Sequence, residues 1–243
     1  MEDGSEMIKI LYEDNHLLGI EKPVNVPVNS DSSQDIDLLS MGKAYLKEKY
    51  RKPGNVYLGL VHRLDRPVGG AMIFARTSKA ASRLSEAVRT HAVKKTYLAV
   101  LDGVPEKDSD TLIDYLIKDR KTNMVRVTDE AHGKKSVLRY DTIAVKDGKT
   151  LVRIQLETGR SHQIRVQFSS RGLPLCFDQR YHPHPGDGQI ALWAYRLSIP
   201  HPVTKETVVL TSLPPEDGAF GNFKEYYVNI KEEEEIRKTE KKI

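Results

Sequence analysis

The sequence predicts an α+β fold, and three patterns carry that reading. Short apolar runs bounded by turn residues recur through most of the chain, some alternate apolar and polar residues as half-buried strands do, and a few longer stretches space apolar residues for helices. No period of repeat length recurs, which argues against a solenoid or a propeller. The 243 residues suffice for a substantial core, and one domain over residues 1–230 is the simpler organisation. From Lys231 the chain carries five acidic and five basic residues and little apolar content, so residues 231–243 read as a frayed, charged tail.

Hydrophobic residues make up 39% of the chain, too many for a disordered protein. No apolar run approaches the ~20 residues needed to span a bilayer. The acidic start MEDGSEMIKI lacks the basic and apolar segments of a secretory signal, so a cytoplasmic location is expected, with no accessory domain before Ile8. The one cysteine, Cys176, reads as a small core residue. The net charge of +4 is unevenly placed. Arg51 to Val100 holds ten Lys or Arg against two Asp or Glu, a balance of +8 that leaves −4 for the rest. Such a field suits a polyanion, and an ordinary solvated basic face fits it equally well.

In chain order, Ile8–Tyr12 and His16–Glu21 form a hairpin around Glu13-Asp14-Asn15. KPVNVPV then turns at Asn25, a residue that tolerates positive φ. Asp37–Tyr50 is a packing helix capped by Asp35 or Asp37. Leu58–Gly70, LGLVHRLDRPVGG, reads as a strand ending in a rigid loop with Pro67 and the pair Gly69-Gly70. Ala71–Ala75 is a buried strand, and Thr77 or Ser78 caps a helix with Ala80, Leu84, Ala87 and Val88 inward and Lys79, Arg83 and Arg89 outward. KKTYLAVLDG is a strand, and four more follow: Thr111–Leu116, Asn123–Val127, Ser136–Val145 and, after an Asp147-Gly148 turn, Thr150–Glu157. LETGRSHQIRVQFSSRG holds a short helix with Gly172 at its end, Ile164 and Phe168 inward, and Arg165 fixed beside them. Ile190–Ile199 and the segment from His201 close the chain as strands, with Trp193 in the core. His182-Pro183-His184 near Cys176 lacks regular metal-ligand spacing.

Asp65 is the candidate reactive group, a carboxylate set among Arg63 and Arg66 at the end of an apolar run, where nearby cations favour its ionised form. On that stretch alone a surface ion pair is the commoner reading.

HRLDRPVGG resembles the HRLD signature of the RluA family of RNA pseudouridine synthases, with Val68 and Gly69 in place of the usual Thr and Ser. KPVNVPV, KKTYLAV, TGRSHQIRV, GLPLCFDQRY and HPVTKE resemble further family motifs in the family's order, over roughly Ile8 to Pro215, with Asn25 and Phe177 each standing where the family has Gly. The resemblance implies a single catalytic domain around a mixed, largely antiparallel sheet with flanking helices, the pseudouridine synthase fold. It implies isomerisation of uridine in ribosomal or transfer RNA without cofactor or metal, by a monomer that meets no membrane. By the same resemblance Asp65 is catalytic, Arg165 pairs with it, and Tyr97 reaches the active site. His62, Arg63 and Arg160 are the candidate RNA-binding residues, Arg63 as the group that fills the place of an extruded uridine. Read without the resemblance, Tyr97 is a packing residue, Arg160 an exposed salt bridge, and His162 and Gln163 anchors of the helix. An RNA-binding module and an unrelated carboxylate hydrolase are the competing functions. The first has no need of Asp, Tyr and Arg together, and the second calls for another acid at a comparable site.

Overall fold

The computed structural model describes residues 8–31 and 33–227, so the tail from Lys231 lies outside the described residues. In chain order the elements are β1 (Lys9–Glu13), β2 (Leu17–Lys22), α1 (Leu38–Lys49), β3 (Gly59–Leu60), β4 (Gly69–Ala75), α2 (Ser78–Arg89), β5 (Lys94–Asp102), β6 (Ser109–Lys118), β7 (Val125–Thr128), β8 (Lys134–Lys146), β9 (Lys149–Leu156), α3 (Gln163–Ser169), β10 (Leu192–Pro200), β11 (Thr207–Thr211) and α4 (Gly218–Gly221). The class is the α+β expected, mixed β structure with a few flanking helices. No described helix is long and apolar enough to cross a membrane. The described residues cluster into two compact units, one of residues up to 96 with 194–212, the other of residues 97–193 with those from 213.

In the first unit the strands run β1-β2-β4-β10, with β3 added to β4 and β11 to β10. The β1–β2 hairpin forms where Asp14 accepts the N–H groups of His16 and Leu17, both at 2.7 Å, which closes the turn. Asp37 caps α1 through the Ser40 N–H at 3.0 Å, and Thr77 caps α2 through the Ala80 N–H at 3.1 Å. All seven residues of β4 are buried. One face, Ala71, Ile73 and Ala75, packs on Ala80, Leu84 and Ala87 of α2 and on Leu197 and Leu210, while Met72 and Phe74 are fully buried on the other. That two-sided burial is why AMIFA reads as an unbroken apolar run.

The stretch Leu58–Gly70 departs from its expectation. Only Gly59–Leu60 pair as strand, and Gly69-Gly70 begin β4 instead of ending the loop. Gly70 has φ +118, and a Cβ there would lie 2.4 Å from the Ala194 carbonyl oxygen. Only glycine fits where two backbones pass so closely.

In the second unit the strands run β5-β9-β8-β6-β7. The long β8 pairs antiparallel with both β6 and β9. Asp147 and Gly148, at φ 50 and 72, make the two-residue turn between Lys146 and Lys149 that the sequence predicts. Every residue of α3 from Gln163 to Phe168 is buried, so this helix is core throughout and not merely on the Ile164/Phe168 stripe.

Candidate active site

From His62 to Asp65 the chain alternates buried, exposed, buried and half-buried residues, which turns His62 and Leu64 inward and Arg63 and Asp65 outward. The loop then closes tightly, the Val68 N–H donating to the Asp65 carbonyl at 3.0 Å. Arg66 also engages groups outside the loop. Its Nε donates to the Asn25 carbonyl at 3.1 Å, and its guanidinium pairs with Asp35 and, at 3.6 Å, Asp31. Asn25 holds φ 63, so the turn keeps the conformation that glycine would give it.

Beneath the loop lies Lys22, fully buried at the end of β2. Its Nζ donates to the carbonyls of Pro23 at 2.9 Å, Arg66 at 2.8 Å and Val68 at 2.8 Å. Burial pushes this ammonium down to about 7, against the pull of the Asp65 carboxylate and with the push of Arg66. Sequence reading treated KPVNVPV only as a turn. The signal was the alternation Leu18, Ile20, Lys22, which puts a lysine on the buried face of a strand.

His62 sits behind the loop and not on its surface. Its Nε2 accepts the Ile73 N–H at 3.2 Å, and its Nδ1 is buried with no hydrogen-bond partner among the described residues. Burial, with the charge of Lys95 adding to it, pushes the imidazole down to about 3, so it is neutral at pH 7. That geometry backs the loop from behind.

Tyr97 lies in β5 and is 8% exposed. In the second unit, Arg165 is held by α3 with its side chain 5% exposed. It donates through Nε to Asp178 Oδ2 at 2.8 Å and through Nη2 to Oδ1 at 2.6 Å, a forked pair. The guanidinium also lies 5.1 Å from the Tyr181 ring centre. Tyr181 is fixed in turn, its hydroxyl accepting the Val125 N–H at 2.9 Å and meeting His162 Nδ1 at 2.6 Å. Gln163 accepts from Thr158 Oγ1 and the Arg160 N–H, at 2.8 and 3.0 Å, and donates to Gln167 at 3.0 Å. His162 and Gln163 thus anchor the helix. Asp178 and Tyr181, quoted in CFDQRY but given no role from sequence, are what hold Arg165 within its unit. Phe177 before them adopts φ 60, and its ring occupies the space left by Gly188, where a Cβ would come within 2.7 Å.

Arg160 is exposed, and its Nε donates to the Lys135 carbonyl at 3.2 Å. It lines a pocket of about 450 Å³ whose rim carries Lys118, Arg120 and Lys134 and whose floor includes the buried Leu116 and Val125. The segment Arg51–Val100, whose charge suits a polyanion or a solvated basic face, already commits several of its cations within the protein. There Arg76 pairs with Glu13 at 3.2 Å, Arg83 donates to the Pro202 carbonyl at 2.8 Å, and Arg89 is paired with Glu86 at 2.5 Å. Lys79 is exposed. Cys176 is buried, which pushes its thiol up to about 11 and fits a core residue.

The sequence profile of the RNA pseudouridylate synthase family matches residues 16–170. An uncharacterized RNA pseudouridine synthase of Zymomonas mobilis is 33% identical over 82% of this chain and 92% of its own length. The ribosomal large subunit pseudouridine synthase C of Escherichia coli O157:H7 is 33% identical over 86% of this chain and 67% of its own length. Among solved structures, human RNA pseudouridylate synthase domain containing 4 superposes with a TM-score of 0.73 at 21% identity, covering 85% of this chain and 88% of that one, which shows the shared fold. The sequence matches carry more: this chain belongs to the RluA family of RNA pseudouridine synthases.

Proposed function

We propose that this pseudouridine synthase acts on ribosomal RNA and that Asp65 carries its chemistry. The observation behind the second part is the presentation of Asp65, half-buried on the outward side of a turn whose backbone is pinned at Arg66 and Val68 from beneath. The likeness to the ribosomal large subunit synthase C supports the choice of RNA.

Isomerisation breaks the bond between N1 of uracil and C1′ of ribose, turns the base, and forms a bond from C5 to C1′. The C5 proton leaves and N1 gains one, so no electrons are exchanged with any other reagent. The reaction therefore calls for an anion to attack or stabilise an electron-poor carbon, the work of carboxylates in glycoside chemistry. Asp65 is that anion. By the family likeness Arg165 is a catalytic residue, and Tyr97 stacks on the uracil or moves a proton. The uridine leaves its stack at a cost of a few kcal/mol, and Arg63, exposed beside Asp65 in sequence, fills the vacated place. The reaction needs no cofactor.

Release of tritium from C5-labelled uridine in ribosomal RNA tests this, for wild type and Asp65→Asn, with and without excess chelator. Asp65→Asn keeps the shape and removes the charge, and should lower the rate by at least about 1000-fold, worth about 4 kcal/mol. RNA binding should survive and the chelator should change nothing. Comparable release by the variant removes Asp65 from the mechanism. Pseudouridines lost only from transfer RNA in cells lacking the gene would reassign the substrate.

A further inference from the structure

We propose that the pocket lined by Arg160 is a seat for one unpaired nucleotide of the substrate RNA other than the target uridine, its base against the apolar floor and its phosphates on the cationic rim. The inference goes beyond the reading of Asp65 above and needs only that the substrate is RNA.

The cavity, of about 450 Å³, has the size of a ligand site. It forms where the end of β6, the starts of β7 and β8 and the loop before α3 converge. Leu116 and Val125 make its floor, with Ile117 half-buried beside them. Lys118, Arg120, Lys134 and Arg160 line it, and no carboxylate stands among the lining residues. Among the described residues, the side chains of Lys118, Arg120 and Lys134 enter no ion pair and no hydrogen bond. The acids of the turns on either side of β7 are engaged elsewhere. Asp119 accepts the Lys121 N–H at 2.7 Å, Asp129 meets the His132 ring at 2.7 Å, and Glu130 accepts the Tyr115 hydroxyl at 2.7 Å. Cations gathered without a counter-charge repel one another, and phosphate is the partner that relieves them.

Charge alone would suit any polyanion, and the floor narrows the choice. A base reaches Leu116 and Val125 only after leaving its stack. Bases of a duplex stay stacked, whereas those of loops and single strands splay out. A splayed nucleotide carries an apolar ring face with phosphate on either side, which is the complement of an apolar floor inside a cationic rim. The floor also fixes where the seat lies. Leu116 and Val125 pack with Val166 of α3 in one apolar cluster, and Val166 follows Arg165 in that helix. A nucleotide held there stands at a set distance from α3, so it selects which neighbouring uridine is presented.

The test titrates the protein with hexaadenylate, a hexamer of abasic sugar phosphates, adenosine monophosphate and a guanine–cytosine RNA duplex. None contains uridine, so the result is independent of Asp65 and of which RNA is modified. Ser161→Phe, at an exposed lining residue, fills the pocket without changing its charge. Replacing Lys118, Arg120 and Lys134 together with Gln removes rim charge and leaves the floor. Near-UV circular dichroism establishes folding. Ser161→Phe should weaken hexaadenylate about tenfold and the abasic hexamer and the duplex by less than about twofold. The triple variant should weaken both hexamers and lower the slope of log affinity against log salt by about 2, at roughly 0.7 per phosphate on a single strand. Equal losses on hexaadenylate and the abasic hexamer in Ser161→Phe, or no loss on either, overturn the base seat. An unchanged salt slope in the triple variant overturns the phosphate rim. Adenosine monophosphate bound by wild type as tightly as hexaadenylate, and lost in both variants, reassigns the pocket to a free nucleotide and overturns its link to RNA. If Ser161→Phe does not fold, Ile117→Phe, at another lining residue, takes its place under the same criteria.

Discussion

Lys22 and Arg165 are both buried cations, 0% and 4% exposed, one in each compact unit, and their surroundings differ in kind. Lys22 is met by neutral carbonyls of its own backbone and of a distant loop. Arg165 is met by a full carboxylate, on Asp178, that is itself 1% exposed. The first arrangement spreads a point charge over three dipoles, with the Asp65 carboxylate near enough to favour that charge. The second matches a planar fork to two oxygens, and losing either partner takes from the other the opposite charge it was buried with. A cation held by dipoles ties together the backbone segments that supply them. A cation held by an ion pair makes its neighbourhood rigid and brittle.

The largest expected effect breaks the second arrangement. Asp178→Asn keeps the shape and removes the negative charge that meets the fork of Arg165, and should cost about 3–5 kcal/mol of stability. Urea unfolding measures it. The pair Arg165→Met with Asp178→Leu should recover much of that stability while staying inactive, because replacing both charges removes the burial penalty. A loss below about 1 kcal/mol for Asp178→Asn would mean that the pair is not what secures the helix.

A neutral buried group sharpens the contrast. His62 is held near a pKa of about 3 when folded and has the ordinary 6.5 when unfolded. Between those values the unfolded chain binds the proton and the folded one does not, so stability falls as pH falls below 6.5, at up to about 1.4 kcal/mol per pH unit. Wild type should lose about 2 kcal/mol between pH 6.5 and 5 that His62→Gln does not lose. Parallel urea midpoints for the two proteins across that range would show that His62 titrates normally.

The smallest effect concerns cations at the surface. Replacing Lys118, Arg120 and Lys134 with Gln should lower the slope of log affinity for RNA against log salt by about 2, one share per phosphate released. Replacing Lys79, Arg83 and Arg89 should lower it less, because Arg83 and Arg89 already have partners in the protein. The reverse ranking would return the RNA surface to the segment that sequence charge pointed to.

Much of the fold was legible because its signals are local. Asp14, Thr77 and the Asp147-Gly148 turn act within a few residues, and each does in the structure what its residue type suggests. The unread part was long-range. Gly69-Gly70 was taken for loop because nothing local says that Ala194 passes against Gly70. Charge counting over Arg51–Val100 could not tell that Glu13, far back in the chain, and the Pro202 carbonyl, far ahead, engage its arginines. Phe177 stands where the family has Gly, and its ring found space at Gly188, eleven residues on. Lys22 was missed for a different reason. Its alternation was visible, but the residues that compensate its charge are backbone carbonyls, which every sequence has.

The core of the first unit is not contiguous in the chain, since Leu197, Ile199, Val208 and Leu210 complete the layer that Ala71, Ile73 and α2 begin. During synthesis, the apolar face of β4 must wait for more than a hundred further residues before these partners leave the ribosome. Non-local pairing of that kind slows folding and prolongs the exposure of apolar strand surface. A chain that stalls in β9 would present AMIFA uncovered on the side that Leu197 and Leu210 normally close, and such a fragment is a substrate for chaperones and proteases before it is ever an enzyme.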